Sequence, residues 1–220
     1  MDQFQGFLFD LNGTMINDMP YHVKAWHTIL NYLGADISME QTKEECYGKN
    51  NELLERIFPG RFTDEEKRKM SFEKEKSYRL EFAPFLRLIN GLDDFLKGAH
   101  EKKIKMGIGS AAIMDNVNFV LDGLNIRNYF SALVSADDVK KSKPDPETFL
   151  KCADIIGIAP GECLVFEDAP KGVEAAMNAG MKAIVILTMH EKGEFNSYPN
   201  VLFCINDFKD ERLKELTGSL

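Results

Sequence analysis

The 220-residue chain contains no apolar stretch approaching the roughly 20 residues that cross a bilayer, and its N-terminus lacks a basic-then-apolar leader pattern. It also has no basic excess. Lys and Arg number 27 against 35 Asp and Glu, giving a net charge of -8 and a pI near 5.1. A phosphate backbone needs a Lys/Arg surface, so a nucleic-acid partner is not expected. A small phosphate remains possible, since two or three local cations and a metal can hold it. Cysteine is scarce. Cys46, Cys152, Cys163 and Cys204 show no CxxC or paired spacing, and two of them sit inside strand-like apolar runs. They read as core or incidental thiols. No internal repeat and no low-complexity segment is present. A soluble, cytoplasmic protein without a membrane partner is the expectation.

What the chain does have is enough apolar residue, 44%, for one sizeable core or a core with a smaller appended unit. Short apolar runs at 4–9, 104–108, 163–166, 183–187 and 201–205 are continuous or nearly so. They lack the alternation of a half-exposed strand and suit strands buried on both faces. Helical patterns separate most of them. Residues 116–124 place Val117, Val120, Leu121 and Leu124 on one face. Asp145 can cap a helix that has Pro146 at its first position and runs to Gly157, and 170–179 ends at Gly180. Strands alternating with helices predict an α/β fold with a doubly wound parallel sheet.

Residues 15–84 break that rhythm with helical patterns and no convincing strand. A run over 20–33 is amphipathic and closes at Gly34, and Thr63 with Glu66 forms a capping box for a charged helix reaching towards Phe82. This block is predicted to be a helical cap inserted after the first strand, with both ends returning to one edge of the sheet. The core is expected over 1–14 and 85–220. Asn12-Gly13 between apolar residues is also a hairpin signal. The run before it is continuous, however, and Asp18-Met19-Pro20 opens a helix, so the dipeptide reads as the strand's exit into the cap.

Ligands of open parallel sheets bind beyond the carboxyl ends of the strands. Asp10 follows the first apolar run, Ser110 the second, Lys143 lies in a loop after 130–135, and Glu167-Asp168 follow 163–166. Carboxylates, a hydroxyl and an ammonium at one rim describe a metal-assisted phosphate site. Each has a plain structural alternative: an Asx-turn for Asp10, a helix cap for Asp168, an N-cap for Ser110, a solvated lysine beside Lys140 and Lys141 for Lys143. Adjacent carboxylates at a buried strand end repel without a cation, which favours Mg²⁺, an ion that takes oxygen ligands and keeps several waters. Ser110 followed by Ala111 at a helix N-terminus would cradle phosphate.

In order and type, these clusters resemble the four motifs of the haloacid dehalogenase-like (HAD) phosphotransferase superfamily over nearly the whole chain. Asp10-Leu11-Asn12-Gly13-Thr14 is similar to the first motif, Gly109-Ser110 to the second, Lys143-Pro144-Asp145-Pro146 to the third and Glu167-Asp168 to the fourth. Asp18-Met19-Pro20-Tyr21-His22, Trp26, Phe166 to Pro170 and Gly172-Val173-Glu174-Ala175-Ala176 resemble the β-phosphoglucomutase-like proteins and small sugar-phosphate phosphatases. A dehalogenase reading is weaker, because those relatives attack carbon without a metal and would not need Glu167-Asp168 to be acidic.

The resemblance implies that Asp10 is the nucleophile and Lys143 neutralises it and a phosphate oxygen. It implies Mg²⁺ held by Asp10, the main-chain carbonyl of Asn12, Glu167 and Asp168, with Thr14, Ser110 and Ala111 around the phosphate. In the cap, His22, Trp26 and Lys74 fall where relatives contact substrate, although a structural His on an amphipathic helix and a solvated Lys on a charged one are the competing readings. Gly48-Lys49-Asn50-Asn51 has no arginine where the mutase grips a second phosphate. Lys49 offers a point charge instead of a fork, which favours a phosphatase over a mutase.

Asn12 replaces the acid that, in most of the family, protonates the leaving oxygen and deprotonates the incoming one. Three origins fit: a deliberate acid-to-amide substitution, preferred because every other motif element is intact; a naturally slow or redirected phosphotransferase; or a phosphate-binding pseudoenzyme. Asn-Gly is also prone to deamidation, so an aged sample could regain aspartate at position 12. The expected protein binds Mg²⁺, acts on a small phosphorylated metabolite through Asp10, and is a monomer or weak oligomer.

Overall fold

Every strand is short and nearly every strand residue is apolar, which requires cover on both sides of the sheet. The computed structural model describes residues 4–217. Six parallel strands form one sheet: β1 (Gly6–Phe9), β2 (Lys105–Gly109), β3 (Ala132–Val134), β4 (Cys163–Glu167), β5 (Lys182–Ile186) and β6 (Val201–Ile205), in the order β3-β2-β1-β4-β5-β6. Helices α5 (Leu92–Glu101), α6 (Met114–Gly123), α7 (Glu147–Ile156) and α8 (Pro170–Asn178) cross between them. The doubly wound α/β expectation is met. Residues 130–135 shorten to a strand of three, Ala132–Val134. Pro146 and Asp145 sit just outside α7, with Asp145 Oδ1 accepting from Glu147 N at 3.0 Å.

Alternation along β1 decides which face each side chain covers. Leu8 joins Val165, Phe149, Cys152, Cys163, Ala175 and Ala176 on one side. Phe7 and Phe9 turn to the other, where Phe9 stacks on Phe166 at 4.8 Å and both Phe7 and Phe9 meet Phe95 of α5. The β1–β4 register pairs Phe9 with Phe166, so the residues after them, Asp10 and Glu167, leave the sheet side by side. All four cysteines are thiols, and burial pushes Cys46 and Cys152 up to about 12, which suits packing rather than reactivity.

The chain divides into two compact units, Met1–Asn17 with Arg87–Leu220, and Asp18–Leu86. The expected boundaries after 14 and 84 thus become Asn17 and Leu86. The reason lies at the insertion point, where Ile16 bridges Leu88 antiparallel and Ile89 N donates to Met15 O at 2.8 Å. The second unit contains α1 (Met19–Tyr32), α2 (Met39–Glu45), α3 (Asn50–Ile57) and α4 (Asp64–Phe82). Trp26, Leu30, Leu53, Leu54 and Phe58 form its apolar centre.

The long, strongly charged α4 starts at a complete capping box: Thr63 accepts from Glu66 N at 3.3 Å, and Glu66 Oε2 accepts from Thr63 N at 2.8 Å. A charged helix has little apolar burial of its own, so its first turn depends on that cap. Thr63→Ala is expected to destabilise the cap unit by about 0.5–2 kcal/mol, with Thr63→Ser close to the parent, as measured by urea unfolding followed at Trp26.

Candidate active site

Asp10 is placed by the sheet. Its N–H continues the β1–β4 ladder by donating to Phe166 O at 2.9 Å, which sets its side chain beside the end of β4. Lys143 reaches the same point from the loop after β3. Its ammonium lies 2.6 Å from both Asp10 Oδ1 and Glu167 Oε1 and 4.5 Å from the centre of the Phe149 ring. Burial alone would lower this lysine, but the carboxylates of Asp10 and Glu167 more than offset it and hold the ammonium above the ordinary range. The solvated reading of Lys143 is thereby corrected: Lys140 and Lys141 are exposed, and only Lys143 turns inward, leaving 9% of its surface accessible.

The two adjacent acids have separate tasks. Glu167 spends one oxygen on Lys143, while its Oε2 accepts from Asp168 N at 2.8 Å and Ala169 N at 2.9 Å. This makes Glu167, not Asp168, the acceptor for the main chain leading into α8, so the helix-cap alternative for Asp168 is corrected. Gly172 in the first turn of α8 makes room for it, since a Cβ there would lie 1.7 Å from Glu167 Oε1. Asp168 is bracketed differently. Thr14 Oγ1 donates to its Oδ1 at 3.3 Å, and Gly13, at φ +77, leaves a gap in which a Cβ would lie 2.0 Å from its Oδ2. The Thr14 hydroxyl is fully buried and meets Asp168.

Burial first, then the charges of Glu167 and Asp10, push the Asp168 carboxyl well above its usual range. Three carboxylates here meet the single ammonium of Lys143 among the described residues. A divalent cation would relieve that excess, and an all-oxygen donor set suits Mg²⁺. No group of three or more His, Cys, Asp and Glu side chains is arranged to hold a metal among the described residues. Asp10, Asp168 and the main-chain carbonyl of Asn12 are the oxygen donors that could hold such a cation, with water completing its shell. Glu167 meets Lys143 through Oε1 and the main chain of 168–169 through Oε2.

Ser110 sits at the end of β2, with its N–H on Val134 O at 2.9 Å and its Oγ accepting from Ala112 N at 3.2 Å. Helix α6 begins only at Met114, so Ser110 and Ala111 belong to the loop before it rather than to the helix N-terminus expected from the sequence. Asn12 is half-buried, and Gly13 N donates to Ile16 O at 2.8 Å. That bond engages the nitrogen that deamidation of Asn12 requires as its nucleophile.

The cap residues assemble separately. Lys74 is 2% exposed and its ammonium lies 2.6 Å from His22 Nδ1 and 2.8 Å from Glu75 Oε1, which corrects the solvated alternative. The other ring nitrogen of His22, Nε2, faces Asp18 Oδ2 at 3.3 Å. Tyr78 stacks on His22 at 3.8 Å and donates its hydroxyl to Asp18. Trp26 packs in the apolar centre with the Lys74 ammonium 5.4 Å from its ring. Lys49 directs its N–H to Glu52 at the start of α3.

One contributor was not anticipated. Thr188, just beyond β5, donates to Gly13 O at 2.7 Å and lies 3.5 Å from Asp168 Oδ2. The rule that pointed to the ends of the other strands would have found it, because it follows the apolar run 183–187.

Residues 7–186 match the sequence pattern described as haloacid dehalogenase-like hydrolase. The chain belongs to the haloacid dehalogenase-like hydrolase family. This HAD-like chain is 32% identical to fructose-1-phosphate phosphatase YqaB of Escherichia coli over 83% of its length and 96% of that protein's. It is 29% identical to the β-phosphoglucomutase of Bacillus subtilis over 80% of each chain. The crystal structure of β-phosphoglucomutase from Clostridium difficile superposes with a TM-score of 0.85 at 25% identity, covering 98% of this chain and 96% of that one.

Two outcomes follow from the geometry. Gly172→Ala is expected to force Glu167 off Lys143 and to destabilise the core by about 1–3 kcal/mol in thermal unfolding, whereas Gly161→Ala, with nothing within 4 Å, should stay within about 0.5 kcal/mol of the parent. In the cap, burial alone would raise Glu75, but Lys74 and His22 bring it from 4.5 down to about 2. A depressed carboxylate contributes stability that is complete above its unfolded value and disappears as pH falls through its folded one. Between pH 4.5 and 2 the parent should therefore lose stability more steeply than Glu75→Gln in denaturant titrations; parallel losses would show that this ion pair contributes nothing.

Proposed function

We propose that this HAD-like chain is a Mg²⁺-dependent phosphatase of a small phosphorylated metabolite, of the sugar-phosphate class, working through an aspartyl-phosphate on Asp10. The observation that carries the reading is the Lys143 ammonium held 2.6 Å from both Asp10 and Glu167 at the carboxyl ends of adjacent strands. An Asp10 oxygen forms the new bond to phosphorus, and the bond from phosphorus to the ester oxygen breaks, its electron pair leaving with the sugar oxygen. Lys143 offsets the charge that crowds Asp10 and the phosphoryl oxygens. Bound Mg²⁺ supplies further neutralisation of the phosphate dianion. Water then attacks the phosphorus of the acyl phosphate, releasing inorganic phosphate and restoring Asp10.

Asn12 limits both steps. Its amide carries no titratable proton near neutrality, so the leaving oxygen takes its proton from solvent, and the incoming water gives its proton up unaided. Loss of general acid/base assistance costs on the order of 10²–10⁴ in rate. The chain is accordingly read as a slow enzyme, and a phosphate-binding protein without turnover is the reading of another class. Hydrolysis is favoured over a mutase because a bisphosphate must be gripped at both ends. The Lys74 ammonium is already shared by Glu75 and His22, and Lys49 brings no guanidinium. Fructose 1-phosphate and hexitol phosphates enter as test substrates because the relatives of this chain include fructose-1-phosphate phosphatase YqaB and hexitol phosphatase B of Escherichia coli. The same reading assigns the protein to the cytoplasm, as a monomer or weak oligomer.

Single-turnover kinetics with Mg²⁺ and a sugar-phosphate panel test this reading. Asn12→Asp is expected to raise phosphate release on the order of 10²–10⁴, and Asp10→Asn in that background to abolish it. Conversion of glucose 1-phosphate to glucose 6-phosphate without phosphate release would favour the mutase. No product from any panel member with Asn12→Asp would favour the binding protein.

A further inference from the structure

We propose that Thr188 is a positioning residue that holds the Asn12-Gly13 turn and the Asp168 carboxylate in register from the end of β5; this inference rests on the metal-dependent reading above. Strands β1, β4 and β5 are consecutive neighbours in the sheet, so the segments leaving them meet at one rim. Thr188 has a firm base there, with Leu187 N on Ile205 O at 2.8 Å and its own N–H on Ile186 O at 3.0 Å.

The Thr188 hydroxyl has one proton and two oxygens near it. Gly13 O at 2.7 Å takes the proton, and Asp168 Oδ2 lies at 3.5 Å. The oxygen of Thr188 is then presented beside the carboxylate without a proton between them, an arrangement that an added positive charge stabilises. On its other side Asp168 receives the Thr14 hydroxyl at 3.3 Å. The carboxylate is thus framed by hydroxyls from the exits of β1 and β5.

Gly13 links the two contacts mechanically. Because a Cβ at Gly13 would lie 2.0 Å from Asp168 Oδ2, the carboxylate rests directly against the main chain. Fixing the Gly13 carbonyl therefore fixes the surface on which Asp168 lies, and with it the preceding carbonyl of Asn12. Thr188 reaches both elements of the cation site without touching the contacts of Lys143 with Asp10 and Glu167.

Removing a hydrogen-bonding partner that orients metal ligands typically weakens metal affinity about 10–100-fold. Mn²⁺ titration of the full chain, with unbound Mn²⁺ read by electron paramagnetic resonance, measures this without turnover. Thr188→Val, similar in shape but lacking the hydroxyl, is expected to bind Mn²⁺ about 10-fold more weakly or worse, and Thr188→Ser to recover most of the loss. Thr188→Ala gives the same comparison with no risk of overpacking, and metal-free thermal unfolding identifies which variants are folded. Folded Val or Ala variants that bind Mn²⁺ as tightly as the parent would overturn the proposal, as would a serine variant as weak as the valine one. A parent chain that binds no Mn²⁺ would overturn the metal-dependent reading itself and this inference with it.

Discussion

The Lys143 ammonium, taken almost wholly out of water to lie between Asp10 and Glu167, is the contact on which the catalytic half of the molecule depends. A buried charge is tolerable only when fully paired, and removal of one partner from such a pair typically costs about 3–5 kcal/mol. The core meets this requirement through its register. Phe9 lies opposite Phe166 in a parallel ladder, so the two carboxylates emerge together, and the ring of Phe149 closes the site beneath the ammonium. Glu167 then gathers the N–H groups that lead into α8, and the absent side chain at Gly172 gives it space. Packing, register and electrostatics converge on a single nitrogen.

Much of this was legible in the sequence because strand ends are punctuated by a change from apolar to polar. Asp10, Ser110, Lys143 and Glu167-Asp168 were found by that change, and the parallel sheet by the absence of alternation in the runs. The resemblance added roles that the residues alone left open. Distinctions that depend on side-chain direction were not legible. Glu167 and Asp168 are adjacent letters of the same chemistry, yet one is the last residue of a strand and faces Lys143 while the other leaves the strand and meets Thr14. Nothing in their order announces this division.

The cap shows the same limit. Helix α4 is so rich in charge that its residues read as solvated, and no apolar period marks its inner face. Lys74 and Glu75 nevertheless point inward, because their partners His22 and Asn50 come from helices far away in the sequence. Thr188 was missed for a simpler reason. The strand-end rule was applied to charged residues and to one serine but not to the threonine that follows 183–187, whose hydroxyl serves the turn at Gly13.

The insertion point has a consequence beyond this site. Residues 15–16 and 88–89 are joined by an antiparallel bridge and a 2.8 Å hydrogen bond, so the chain leaves the core and re-enters it through one narrow neck. A neck of this kind sets no minimum span for whatever lies beyond it. The loop-closure cost of an insert grows only slowly with its length once the ends are fixed. To the α/β unit, a helical module of any size is equivalent to a short turn. The α/β framework can therefore keep its register while the helical insert is exchanged, lengthened or lost, as an interchangeable fitting on a standard mount.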